Sequence, residues 1–277
     1  MKGQVTMKTI RQRVFSLLLS LCMLVGLLPA VSQTAFAEGT ADWAYPTSAP
    51  TLTWGGSGTE EDPYTISTAQ ELADLAYVVN NDDNENPVYY GKCFKLTADI
   101  DLNPGFTSTA DGFTGDGTPQ AWTPIGYLLP LLATQVPFVG KFDGDHHTIS
   151  GLYIPEGGSN TTAGLFGFVA DGGIYDVKIA NSYIKGRGSR ENGNGAIISY
   201  GYPMIGFVAA VNCTTIDNCH VSDSYIDSTA LTDSLNGTGG VIGENYGALS
   251  SILNCSFSGG IKAMYSGAIC PYIGGIV

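Results

Sequence analysis

Asp143, Asp145, His146 and His147 are the densest group of potential metal ligands or acid–base groups in this sequence. Carboxylate and imidazole together could bind a divalent cation or shuttle a proton. A second set, Asp176, Asp217, Asp223 and Asp227, recurs downstream. Paired carboxylates about 5–9.5 Å apart are what glycoside cleavage requires. Asn80 to Asn86 is polar and acidic, but lacks the glycine and the terminal bidentate Glu of a calcium-binding loop. Each group also has a plain structural use: Asp-Gly-Asp is turn chemistry, and acids decorate soluble surfaces. The minimum parts of several enzymes are missing from the sequence. There is no H-E-x-x-H, no G-x-S-x-G and no C-x-x-C. No residue is therefore assigned a catalytic, cofactor-binding or metal-binding role, and no cofactor is expected.

The elements that would position these residues are repeats. Ile174 to Ile184 lies ungapped over Ile216 to Ile226, 42 residues on, with Ser-Tyr-Ile identical at the end. Ile252 to Ile261 follows after another 36, and Ile149 to Ile154 reads as an earlier copy. A glycine-rich partner segment recurs as Gly164 to Gly167, Met204 to Gly206, Gly239 to Gly243 and Gly274 to Val277. Near period-2 alternation, frequent β-branched and aromatic residues, and punctuation by Gly, Asn, Asp and Ser predict short strands joined by tight corners. Repeats of this length point to a stacked array. The expected fold is all-β, a parallel β-helix (β-solenoid) over 104–277. Its columns are expected to be Leu152, Val177, Cys219 and Cys255, and beside them Ile154, Ile179, Val221 and Phe257.

Upstream, Thr68 and Glu71 read as a capping box before the apolar stripe Leu72, Ala73, Leu75, Ala76 and Val79. The pattern predicts a helix over 69–80 within a strand–helix–strand cap at 59–103, and residues 38–58 are expected to form a flexible lead-in. Lys2, Lys8, Arg11 and Arg13, the apolar run Val14 to Leu28, and Ala35-Phe36-Ala37 have the form of a secretory signal peptide over 1–37. No membrane span is expected after its cleavage. Removing it takes away four of 12 Lys and Arg and none of 25 Asp and Glu, so the formal charge moves from −13 to 8 − 25, or −17. Such a chain repels phosphate backbones, and nucleic acid is excluded as a partner.

Five cysteines remain after cleavage, Cys93, Cys213, Cys219, Cys255 and Cys270. An odd number cannot all pair within the chain. Stacking allows Cys219 and Cys255 either buried thiols or a cross-repeat bridge. Tyr175, Tyr183, Tyr200, Tyr202, Tyr225 and Tyr246 recur through the repeats and suit a face that binds glycan or protein.

Trp122 to Gly126, Phe138 to Gly144, His147 to Leu152 and Gly164 to Gly167, with the entry segment Gly58 to Ile66, resemble bacterial surface proteins that carry GLUG-motif repeats. The resemblance covers about 54–277. It implies a right-handed β-helix with a short N-terminal capping helix, on a secreted or cell-surface protein. It also implies occurrence in adhesins or beside enzymatic domains such as metalloproteases. The family's Asn-Gly-His corner reads Asp145-His146-His147 here, so His146 stands where glycine is usual. The expected role is a structural and adhesive module whose partner is a host or cell-surface glycan or protein. The alternatives are a polysaccharide-cleaving β-helix, or the noncatalytic repeat arm of a larger exported enzyme. Val277 falls within a repeat, so a fragment with further repeats or domains is expected.

Overall fold

The computed structural model describes residues 41–81, 89–129, 134–155, 162–185, 204–206, 208–212, 214–228, 237–245, 250–262 and 272–276. The expected signal peptide lies outside the described residues, as do most of the polar loop at 80–86, Cys213, Cys270, Tyr200, Tyr202, Tyr246 and Val277. Residues 37–277 form one compact unit. It is predominantly β, and its main sheets are built of parallel strands.

Pairing follows the repeat. In one sheet Tyr64, Phe94, Phe142, Ile174, Ile216 and Ile252 are successive register partners. In a second, Ile100, Ile149, Ile179, Val221 and Phe257 align, and beside them Ile154, Ile184, Ile226 and Ile261. A third collects Gly206, Gly239 and Gly274 from the glycine-rich segments. The copies at 162–185, 204–227 and 237–262 each send strands to all three sheets, and their apolar residues fall onto those of their neighbours. From Phe94 to Ile216 and from Ile149 to Val221 these side chains are essentially inaccessible to water. Burying each stabilises the fold by roughly 1.5–3 kcal/mol.

The residues that turn the chain are also in register. Asp176, Asn218 and Asn254 have φ of 55°, 54° and 51°, and Gly151, Asn181 and Asp223 have 69°, 47° and 47°. Asn, Asp and Gly are the residues that enter this left-handed region most readily, so their recurrence sets the two corners. Gly172, at φ 90°, marks the register shift between Val169 and Gly172, where an added Cβ would strike the Gly140 backbone.

The corners correct one expectation. Ile154 pairs with Ile184, and Ile149 occupies the Ile179 column. Leu152 stands opposite Ser182, whose Oγ accepts its N–H at 3.0 Å, and not in the Val177 column. Alternation has period 2, so a six-residue segment can slide along its neighbour and still look right; only the left-handed corner residue fixes the register.

The helix Ala69–Asn80 forms as the sequence dictates. Thr68 Oγ1 accepts the Glu71 N–H, and the Glu71 carboxylate accepts the Thr68 N–H, both at 3.2 Å. Leu72, Ala73, Leu75, Ala76 and Val79 are fully buried. Asn80 grips the following chain, donating to the Pro124 carbonyl at 2.9 Å and accepting the Gly126 N–H at 2.8 Å. The described part of the lead-in is tied to the fold as well. Trp43 is buried edge-on against Trp122 and donates from Nε1 to the Leu102 carbonyl at 2.8 Å. Thr, Ser and Pro around it conceal this anchor in a composition that reads as linker.

Urea unfolding of Ile216→Ala should show a loss of about 2–5 kcal/mol, because an Ile packed in a buried column leaves a cavity. Thr68→Ala should cost only about 1 kcal/mol, the value of a helix N-cap. Equal losses would contradict the placement of Ile216 at the centre of the stack.

Candidate functional site

The Asp-His cluster is built around the corner that precedes strand Thr148–Ser150. Asp143 pairs with Tyr175 and Thr148 with Lys178. Four residues, 144–147, therefore span what 176 and 177 span in the next copy. The longer corner is accommodated by two left-handed residues, Asp145 at φ 46° and His146 at φ 63°. Glycine is not needed, and the turn takes a different form from its neighbours.

Its side chains diverge toward separate partners. Asp143 Oδ1 accepts the Asp145 N–H at 2.8 Å, and Lys95 Nζ lies 3.1 Å from Asp145 Oδ2. His146 Nδ1 is 3.5 Å from Asp176, and His147 Nδ1 is 3.3 Å from Asp99. Asp99 also accepts the Thr148 N–H at 2.8 Å. Among the described residues no group of three or more His, Cys, Asp or Glu is placed to hold a metal ion.

The recurring acids serve the stack. Asn218 donates its amide to Asp176 Oδ1 in the preceding copy, and Asn254 donates to Asp217 Oδ1 at 2.9 Å. His220 continues the network, with Nε2 2.9 Å from Asn218 Oδ1 and Nδ1 2.8 Å from Ser256 Oγ. The result is a polar ladder through four copies, running His146, Asp176, Asn218, His220 and Ser256. Asp223 is instead a corner residue, and Asp227 pairs in register with Lys185 and Lys262. The four acids are thus divided among the ladder, a corner and a strand, and are not brought together as one site.

Beside this ladder the residue after each corner turns inward. Val177, Cys219 and Cys255 follow Asp176, Asn218 and Asn254, while Ser182 and Ser224 follow Asn181 and Asp223. The buried serines behave alike. Ser182 and Ser224 accept the N–H of Leu152 and Ser182 in the preceding copy, at 3.0 and 3.1 Å, and donate to their own carbonyl two residues back, both at 2.7 Å. The thiols repeat the second of these bonds: Cys219 Sγ lies 3.4 Å from the Asp217 carbonyl and Cys255 Sγ 3.1 Å from that of Leu253.

Cys219, Cys255 and Cys93 are all free thiols. Cys219 is fully buried and Cys255 half-buried. Its role as donor to an ionised Cys255 sulfur, together with burial, pushes Cys219 well up from an ordinary thiol. A hydrogen bond from Cys219 to that ionised sulfur brings Cys255 down to about 7. Burial raises Cys93.

Three tyrosines form a ladder on one sheet. Tyr153, Tyr183 and Tyr225 are register partners, and Tyr153 continues into stacked rings of Phe113 and Phe106, at 5.2 and 5.3 Å between centroids. Tyr183 is buried and the flanking two are partly accessible. Tyr175 lies on another sheet, under the Lys141 ammonium at 5.4 Å. Lys141 is also paired with Glu60 at 2.7 Å.

Sequence reasoning placed the acids and thiols on stacked copies but passed over Asn181, Asn218, Asn254, Ser182 and Ser224. The signal was present in the ungapped alignment, which sets Asp176 over Asn218 and Ser182 over Ser224.

No family model matches the chain. Halomucin of Haloquadratum walsbyi is 31% identical over 207 residues, 74% of this chain and 2% of halomucin. A protein of Evansella cellulosilytica, described as a Gly-rich membrane protein, is 28% identical over 168 residues, 60% of this chain and 15% of that protein. The chain therefore spans a small part of the curated relatives it matches. A solved Bacteroides ovatus structure, described as an immunoglobulin A1 protease, covers 79% of both chains at 16% identity and a TM-score of 0.31, too low to support an argument. Among the described residues no helix is long and apolar enough to cross a membrane.

Alkylation rates measured against pH should separate the thiols. Cys255 should reach half its maximal rate near pH 7, whereas Cys93 and Cys219 should need a pH above that of an ordinary thiol. A thiol acidified by folding stabilises the folded state as pH rises through 7 toward its unfolded value. Cys219→Val should move the Cys255 midpoint upward by removing the donor. Identical pH profiles for Cys255 and Cys93 would refute the assignment.

Proposed function

We propose that this chain is a secreted or cell-surface module in which GLUG-type repeats wind as a right-handed parallel β-helix and act as a structural and adhesive scaffold. The observation that carries the reading is the in-register ladder at the corners. Asp176 and Asp217, the acids best placed by sequence for chemistry, accept amide hydrogen bonds from the next copy. Polar groups that in an enzyme would face a substrate are here engaged in joining repeats.

In this reading the helix Ala69–Asn80 caps the first turn, covering apolar surface that a stack otherwise exposes. Residues 1–37 direct export. The name halomucin and the description of the Evansella relative as a membrane protein support a place at or outside the cell surface. The net charge of −17 that remains without residues 1–37 keeps such a surface soluble and repels anionic lipid and nucleic acid. A glycan or protein of a host or another cell then binds along a face that includes the Tyr153, Tyr183 and Tyr225 ladder.

Expression of the full chain in a bacterium, followed by N-terminal sequencing and a glycan and matrix-protein binding screen, tests both halves. A mature start near Glu38 and saturable binding that is lost on unfolding are expected. An uncleaved intracellular product would overturn the location. Absence of binding, together with depolymerisation of a polysaccharide that Asp217→Asn abolishes, would replace the scaffold with an enzyme.

A further inference from the structure

The two thiols at the inner edge of the ladder occupy equivalent sites. His220 pairs with Ser256 and Val221 with Phe257, and the Ser256 N–H donates to the Cys219 carbonyl at 3.1 Å. The sulfur environments repeat as well. Cys219 Sγ lies near the carbonyls of Ile174 and Asp217, at 3.8 and 3.4 Å. Cys255 Sγ lies near those of Ile216 and Leu253, at 3.7 and 3.1 Å. Ile174 pairs with Ile216 and Asp217 with Leu253, so each sulfur is the translate of the other by one strand spacing. That spacing is about 4.8 Å, within the Cα separations of roughly 4.4–6.8 Å that a disulfide spans.

We propose that Cys219 and Cys255 form a thiol–disulfide pair that a disulfide oxidant closes into a covalent link between successive repeats.

The two residues divide the work by exposure. Cys255 is half-buried, while Cys219 is fully buried. With glutathione disulfide as oxidant, the Cys255 thiolate attacks one sulfur of the reagent, forming a mixed disulfide and releasing one glutathione thiolate. Cys219 then gives up its proton and attacks the Cys255 sulfur, displacing the second glutathione. The protein loses two protons and two electrons, and one glutathione disulfide becomes two molecules of the thiol. The acidity of Cys255 near neutral pH favours the first step. Burial protects Cys219 from being capped itself, so the second step is intramolecular.

The site is specific in the fold. Cys93, the other described thiol, stands in register with Lys141 on a different strand and faces no second sulfur in its column. Val177 occupies this column in the preceding copy, so the link does not extend toward the N-terminus. Closure would fasten the segment Ser251–Leu253 and Ser256–Lys262 to the copy before it.

The test uses the full chain, folded and fully reduced, equilibrated with glutathione buffers of increasing oxidised fraction. Remaining thiols are trapped with an alkylating agent and the digest is read by mass spectrometry. The expected result is loss of both alkyl groups from Cys219 and Cys255 together, with a linked peptide lighter by two hydrogens, while Cys93 stays alkylated. The same treatment in denaturant should abolish this selectivity. Cys219→Val, which copies Val177, should leave Cys255 trapped as its glutathione adduct, and circular dichroism would verify that the variant folds. Cys219 and Cys255 still alkylated in the most oxidising buffer would overturn the proposal. So would a stable Cys255–glutathione adduct in the unaltered chain, or a linkage of either residue to a different cysteine.

Discussion

In-register parallel pairing between successive copies is the constraint on which the rest of this structure depends. Once Ile174 faces Ile216 and Ile216 faces Ile252, the positions beside them are set as far as the next register shift. Side chains in equivalent places are then held about 4.8 Å apart, so each column must be made of groups that tolerate their own kind. Apolar columns satisfy this by burial. Polar columns satisfy it only by hydrogen bonding along the stack, because an unpaired buried donor or acceptor would cost roughly 1–3 kcal/mol.

The corners show both solutions side by side. A left-handed Asp or Asn turns the chain, its side chain bonds to the neighbouring copy, and the next residue points inward. That inward residue is Val, Cys or Ser, each small enough to sit against a turning backbone. Ser and Cys return a hydrogen bond to their own carbonyl two residues back. A corner of this kind needs no catalytic explanation for its Asp, Asn, His and Ser. Their proximity follows from stacking.

Much of this was legible in the sequence. The ungapped match between 174–184 and 216–226 fixed the pairing of those copies, and the capping box with its apolar stripe located the helix. Where copies were short or unequal the reading slipped. Ile149 to Ile154 carried too little pattern to fix its register, and the Asp143 to Thr148 corner holds two residues more than its neighbour. Trp43 was hidden because one buried aromatic in a Thr- and Pro-rich segment leaves no periodic trace. The Asn and Ser ladders escaped for another reason: those residues were read as turn formers, and their hydrogen bonds to other copies appear only when the copies are laid together.

Spin labels on the outer face of one sheet test the stacking most directly. Ser150, Ala180, Ser222 and Ser258 are register partners in four successive copies. Nitroxides would be placed pairwise at these positions in a chain whose native cysteines are replaced. Dipolar EPR should then give separations that grow in equal steps of about 5 Å from Ser150 to Ala180, Ser222 and Ser258 in turn. Separations that do not increase in that order, or a step spanning several strand spacings, would contradict parallel in-register stacking.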